Sequence, residues 1–236
     1  NIPKDKFLLI AGPCVIESEE VSFKIAEELI AITSKLDLPL IFKGSYKKAN
    51  RTKLDSFTGI GDIKALEILK KINQEFKVPI ITDIHEKGEA QIASEYVDVL
   101  QIPAFLARQT ELLVAAAKTG KTVNIKKGQF MSPWNMKNSV RKIESFGNKQ
   151  ILLTDRGTFL GYNMLVNDMT SFPIMARTGY PVCFDATHSI QMPTSMGNIS
   201  GGQREFIPYL VRAAVACGVN ALFMEVHDDP QSILNY

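Results

Sequence analysis

The sequence predicts a (β/α)8 barrel in a single domain spanning residues 1–236, and three observations carry that prediction. Short apolar runs alternate with helix-spaced stretches along the whole chain. Most of these runs are continuous rather than alternating, as strands buried on both faces require. Polar and charged residues collect at the C-terminal ends of the runs and not at their starts; in a closed barrel all those ends meet on one face. An eight-stranded doubly wound sheet is the alternative, and it would gather the same residues in a line rather than a ring.

The predicted strands are 7–12, 40–44, 78–85, 97–103, 122–128, 150–157, 182–189 and 221–227. Between the first two, 17–36 repeats Ile25, Leu29 and Ile32, with Ser18 ahead of an acidic first turn. Residues 63–76 set Leu66, Leu69 and Ile72 on one face. Residues 108–118 and 204–216 read the same way, followed by Gly120 and Gly218 as expected C-terminal caps.

With 236 residues, 45% hydrophobic and 22% charged, the chain can bury a full core without staples. A net charge of only +2 gives no reason to expect a nucleic-acid partner, so cationic chemistry must be local. No apolar run reaches the roughly 18 residues of a membrane span, and the first residues lack a signal pattern. The odd set Cys14, Cys183 and Cys217 argues against a secreted disulfide framework and for a cytoplasmic protein. Cys183 and Cys217 read as packing residues.

Three constellations carry chemistry. Residues 43–53 hold Lys43, Lys47, Lys48, Arg51 and Lys53 with no acid, beside the neutral donors Ser45, Asn50 and Thr52. That mixture suits phosphate or carboxylate, although a solvated charged loop would look alike. Ser200-Gly-Gly-Gln-Arg204 runs into a helix after the seventh strand, the usual phosphate address of barrels, or is simply a turn. Lys126 and Arg156 add cations at two further strand ends, so two phosphorylated ligands, or one carrying phosphate and carboxylate, are expected. Cys14, His188 and Glu225 become neighbours if the barrel closes. They would suit Zn, Fe, Mn or Co, or else comprise a core thiol and an acid–base histidine. His85 and His227 sit at further strand ends.

Several strings together are similar to one family: Ile10-Ala-Gly-Pro-Cys14-Val-Ile-Glu-Ser18, Lys48-Ala-Asn-Arg51, Thr82-Asp-Ile-His85 and Gln101-Ile-Pro-Ala-Phe105-Leu-Ala-Arg108. Asn124-Ile-Lys-Lys-Gly-Gln129, Asp155-Arg-Gly, Phe184-Asp-Ala-Thr-His188, Ser200-Gly-Gly-Gln-Arg-Glu205 and Phe223-Met-Glu225 belong with them. Over nearly its whole length the chain resembles the 3-deoxy-D-manno-octulosonate 8-phosphate synthases. The related 3-deoxy-arabino-heptulosonate 7-phosphate synthases, which use erythrose 4-phosphate, share fold and chemistry. The Lys-Ala-Asn-Arg string favours the former.

The resemblance implies condensation of phosphoenolpyruvate with arabinose 5-phosphate and water. Lys43, Lys126 and Arg156 would hold phosphoenolpyruvate against Ala104 and Phe105, with Arg108 contributing across a subunit boundary of a homotetramer. Asn50, Arg51 and Ser200 would hold the sugar phosphate, with Ser45 a further substrate-binding residue, and Lys48, Asp83 and Gln129 the polar floor. Lys48, Asp83, Lys126 and His188 are the implied catalytic groups. Cysteine at position 14, where metal-independent members have asparagine, implies a divalent metal on Cys14, His188 and Glu225. The family's fourth ligand, an aspartate from a later loop, has no counterpart near Asp228-Asp229-Pro230. The C-terminal loop and helix are therefore expected to be incomplete, and Thr58–Asp62 a few residues short. A heptulosonate synthase and a non-catalytic phosphosugar-binding barrel are the competing readings.

Overall fold

The computed structural model describes residues 6–50, 57–162, 164–192 and 201–229. Eight parallel strands close a barrel: β1 (Leu8–Gly12), β2 (Leu40–Lys43), β3 (Ile80–Asp83), β4 (Val99–Ile102), β5 (Thr122–Lys126), β6 (Ile151–Asp155), β7 (Val182–Asp185) and β8 (Ala221–Glu225). Each pairs with its sequence neighbours, and β1 closes on β8 with Leu8 opposite Ala221 and Gly12 opposite Glu225. The ring, not the open sheet, is what forms. The strands are shorter than their apolar runs because the polar residues at the run ends have already left the ladder.

Helices cover the outside: α1 (Glu19–Lys35), α2 (Asp62–Phe76), α3 (Glu89–Ser94), α4 (Thr110–Lys118), α5 (Met136–Glu144), α6 (Ser171–Ala176) and α7 (Ile207–Ala216). Ser18 caps α1, its hydroxyl accepting from the Val21 N–H at 3.1 Å, with Glu19 and Glu20 in the positive first turn. Ile25 and Leu29 are buried as expected, but Ile32 is 53% exposed. Thr33, four residues beyond Leu29, turns inward instead and donates its hydroxyl to the Leu29 carbonyl at 2.8 Å. Leu66, Leu69 and Ile72 of α2 are fully enclosed. Gly120 and Gly218 take the left-handed conformation just past α4 and α7, with φ of 71° and 83°. Helices α3, α5 and α6 fall outside the predicted helical segments; α3 and α6, at six residues each, are too short for a clear apolar period, whereas α5 does carry one in Met136, Val140 and Ile143.

Two apolar bodies result. The larger lies between strands and helices. The smaller fills the barrel with Leu8, Ile10, Ile41, Ile81, Val99, Leu152, Cys183, Ala221 and Phe223. Cys183 is thus a packing residue, whereas Cys217 is exposed at the C-cap of α7, correcting its expected role. Among the described residues no helix is long and apolar enough to cross a membrane.

Candidate active site

One step above the barrel's apolar filling, the inward side chains become ionic. On β2 the inward residue after Ile41 is Lys43, on β3 Asp83 follows Ile81, and on β7 Asp185 follows Cys183. Successive residues face opposite ways, so these pairs share the interior. Gly12 makes the approach of β1 to β2 possible: a Cβ there would lie 1.9 Å from the Lys43 carbonyl oxygen.

Lys43 is 1% exposed and donates to the carbonyls of Pro13 (3.1 Å) and Cys14 (2.7 Å) and to Glu225 Oε1 (2.7 Å). Burial pulls its pKa down, but Glu225, Cys14 and Asp83 outweigh burial and raise it above an ordinary lysine. Lys126 donates to Asp185 Oδ2 at 2.8 Å, its ammonium 3.7 Å from the centre of the Phe223 ring. Asp185 also accepts from the His188 backbone N–H (2.9 Å), and its Oδ2 lies 2.8 Å from His188 Nδ1. Burial works to raise the Asp185 carboxyl, yet His188 and Lys126 hold it below the usual range. The far ring nitrogen, Nε2, faces Glu225 Oε2 at 3.4 Å. Burial opposes ionisation of Glu225 too, and Lys43 and His188 keep its pKa well below the ordinary value.

Arg156 leaves β6 and turns toward the same corner. Its Nη2 donates to Gln191 Oε1 (2.8 Å) and the His188 carbonyl (3.3 Å), while its buried Nε has no protein partner. Burial lowers its pKa. Opposite, Asp83 accepts from the Ser45 hydroxyl and from Gln101 Nε2 at 2.6 Å. Burial favours its neutral form, but Lys43 and Lys126 win and lower its pKa. Lys48, half-buried, has its pKa lowered by burial. Gln129 is enclosed with its Oε1 unsatisfied. Lys47, Lys48, Ala49, Thr58, Gly59 and Asp62 line a cavity of about 360 Å3 beside this rim.

The expected residues therefore divide. Lys43, Ser45, Asp83, Lys126, Arg156, His188 and Glu225 meet at the rim. Cys14 lies beside them, its thiol pushed up to about 12 by burial and by Glu225. Ala104 is buried, whereas Phe105 is 54% exposed and Arg108 lines a separate cavity of about 360 Å3 with Asn135, Asn138 and Lys142. Asn50 is exposed; Arg51 and Ser200 lie outside the described residues. Lys127, adjacent to Lys126, faces the other way and is fully enclosed near Asp155. Asp185 and Phe223 are central, and neither was assigned a role from sequence. The Asp185-x-x-His188 spacing after a strand was the available signal.

A metal would find donors of the right chemistry here. His188 offers Nε2 because Asp185 holds Nδ1, the usual arrangement behind a ligating imidazole. Glu225 and a thiol complete the set. Among the described residues, however, no three His, Cys, Asp or Glu side chains converge as a metal-holding group, and Glu225 instead bridges Lys43 and His188.

A family model described as DAHP synthetase I family matches residues 3–234. The chain belongs to the DAHP synthetase I family. Within that family it is similar to the 2-dehydro-3-deoxyphosphooctonate aldolase of Geotalea uraniireducens, 57% identical over 227 residues, 96% of this chain and 84% of that protein. Proteins of the same name from a Cyanothece species and from Pelobacter propionicus are 56% and 54% identical, over 97% and 98% of this chain and 84% and 85% of theirs. The ionic rim of this family member is thus built on a scaffold shared across nearly the whole chain.

Proposed function

We propose that this chain is a 2-dehydro-3-deoxyphosphooctonate aldolase acting as a synthase. It condenses phosphoenolpyruvate with D-arabinose 5-phosphate and water to 3-deoxy-D-manno-octulosonate 8-phosphate and inorganic phosphate, supplying a sugar acid of lipopolysaccharide. The observation that carries this reading is the rim itself: two buried ammoniums and a half-buried guanidinium whose enclosed Nε is unpartnered, gathered about Asp185, His188 and Glu225. The names of the relatives favour this substrate pair over erythrose 4-phosphate.

C3 of phosphoenolpyruvate bonds to the aldehyde carbon while water adds at C2. The C2–O bond to phosphate then breaks as C2 becomes a carbonyl; of the two protons water loses, one goes to the aldehyde oxygen and the other leaves with the phosphate. Lys43, Lys126 and Arg156 hold the carboxylate and phosphate of phosphoenolpyruvate and stabilise charge moving between them. Ala104 and Phe105 lie against that substrate, with Arg108 reaching it from a neighbouring subunit of a homotetramer. Asn50, Arg51 and Ser200 take the sugar phosphate, and Ser45, Lys48, Asp83 and Gln129 complete the floor. Holding two polyanions in line requires this many donors. His188 is fixed by Asp185 so that Nε2 alone is presented to the site.

Cys14, His188 and Glu225 would hold a divalent metal (Zn, Fe, Mn or Co), which when bound would orient the aldehyde or acidify a water. A metal beside Cys14 would also offset the burial that keeps its thiol protonated. Location in the cytoplasm fits a sequence whose three cysteines, Cys14, Cys183 and Cys217, are an odd set for a secreted disulfide framework.

Phosphate release from phosphoenolpyruvate should require arabinose 5-phosphate, with erythrose 4-phosphate run in parallel. Faster turnover with erythrose 4-phosphate would replace the reading, and binding without turnover would leave only a phosphosugar-binding barrel. Elemental analysis should find a divalent metal that Cys14→Asn loses; full activity after exhaustive chelation would remove the metal from the proposal. Light scattering checks the tetramer.

A further inference from the structure

Asp83 does not stand alone on the floor of the site. It ends a hydrogen-bonded chain across four neighbouring strands. Thr154 Oγ1 on β6 donates to Asn124 Oδ1 on β5 at 2.7 Å. Asn124 Nδ2 donates to Gln101 Oε1 on β4 at 2.8 Å, and Gln101 Nε2 donates to Asp83 Oδ1 on β3 at 2.6 Å. The Ser45 hydroxyl occupies the other carboxylate oxygen. Gln101 is 1% exposed, and Asn124 and Thr154 are fully buried, so water does not compete for these partners.

Every link points the same way, and chemistry forces that direction. An ionised carboxylate only accepts, so Gln101 must turn its NH2 group toward Asp83. Its oxygen then faces Asn124 and needs a donor, which the Asn124 NH2 group supplies. The Asn124 oxygen needs one in turn, and the Thr154 hydroxyl provides it. A flip of either amide would set two oxygens or two NH2 groups against each other at positions closed to solvent, at a cost of about 1–3 kcal/mol per unsatisfied group.

We propose that Gln101, Asn124 and Thr154 are positioning residues that lock Asp83 as an oriented hydrogen-bond acceptor facing the active site, with Thr154 as the anchor of the lock. Beside Lys43 and Lys126, the locked carboxylate is a fixed acceptor for a substrate hydroxyl or the reacting water. The kinetic consequence rests on the proposed synthase activity; the lock itself does not.

Two substitutions at Thr154 separate direction from packing. Thr154→Val keeps the shape and removes the donor, whereas Thr154→Ser keeps the donor and loses a methyl group. In Thr154→Val, kcat should fall at least about tenfold with KM nearly unchanged, as for outer groups that orient functional ones. Thr154→Ser should stay within about twofold of wild type even where it is the less stable protein, which a purely structural role would not produce. The 13C carboxyl resonance of Asp83, assigned by its loss in Asp83→Asn, should move in Thr154→Val and stay in Thr154→Ser. Gln101→Met, which removes the last link, should repeat the Thr154→Val result if that variant folds poorly. The lock is overturned if Thr154→Val leaves the Asp83 resonance or kcat in place, or if Thr154→Ser loses as much as Thr154→Val. Should wild type show no turnover, the synthase reading fails, and the resonance alone decides the lock.

Discussion

The two ends of the barrel interior are made by the same strands and differ by one inward step. At the closed end stand Ile41, Ile81, Val99, Leu152 and Cys183; two residues on, toward the rim, stand Lys43, Asp83, Gln101, Thr154 and Asp185. The closed end stabilises the fold, since burying each large aliphatic side chain contributes about 1.5–3 kcal/mol. The rim does not repay its burial in that way, because ion pairs such as Lys126–Asp185 lose in desolvation about what they gain in attraction. The difference teaches where function is kept: on strand positions rigid enough to hold charges without water, yet one step removed from the layer that holds the barrel together.

Substitutions at the two ends should therefore fail differently. The largest effect is expected for Lys126→Met, with turnover of phosphoenolpyruvate falling on the order of 10²–10³-fold. Asp185 would lose its ammonium partner and keep the His188 hydrogen bonds and the Arg156 charge, so stability should drop as well. Adding Asp185→Asn should restore the thermal midpoint and leave activity lost. Recovery of activity in that double variant would contradict the assignment of Lys126 to substrate. At the closed end, Leu152→Ala should cost about 2–5 kcal/mol in denaturant unfolding, while kcat per folded molecule stays near wild type. A large loss of kcat there would break the separation between the two ends.

A third test concerns the rim's outer side, where Glu89 at the start of α3 accepts from the Tyr46 hydroxyl (2.6 Å), the His85 N–H (2.7 Å) and Lys47. Burial works to raise this carboxyl, but the hydrogen bonds from His85, Lys47 and Tyr46 hold it below the usual glutamate range. A depressed folded pKa means the stabilisation is present above the unfolded value, about 4.3, and is lost as pH falls toward the folded one. Wild type should therefore lose stability as the pH drops below about 4, and Glu89→Gln should flatten that acid limb. Equal acid limbs in both proteins would remove Glu89 from the account. The smallest effect is expected outside the barrel: Lys71→Ala, which breaks the exposed pair with Glu19, should change stability by less than about 1 kcal/mol.

Much of the rim was legible because strand ends converge in any closed barrel, so Lys43, Asp83, Lys126, Arg156 and His188 could be placed together before their distances were known. Other features were not. Within Thr122–Lys126 the polar Asn124 reads as a break in an apolar run, and only the closed ring reveals that it answers Gln101 and Thr154. Asp185 received no role from sequence because no sequence pattern states which lysine will meet it. Cys217 and Ile32 depart from their expected burial because neighbouring elements, not the residues themselves, decide which face of a helix is covered.

The sequence by itself determined the alternation of strand and helix, the polar character of one rim, and the residues available for chemistry, since period and residue type are local properties. The tertiary structure decided that Lys126 faces inward and Lys127 does not, and that Glu225 lies between Lys43 and His188. It also decided that three side chains on three strands point one way toward Asp83 on a fourth. Those are consequences of closure and register, which bring together residues as far apart in sequence as Leu8 and Ala221 and leave no mark on any local stretch of chain.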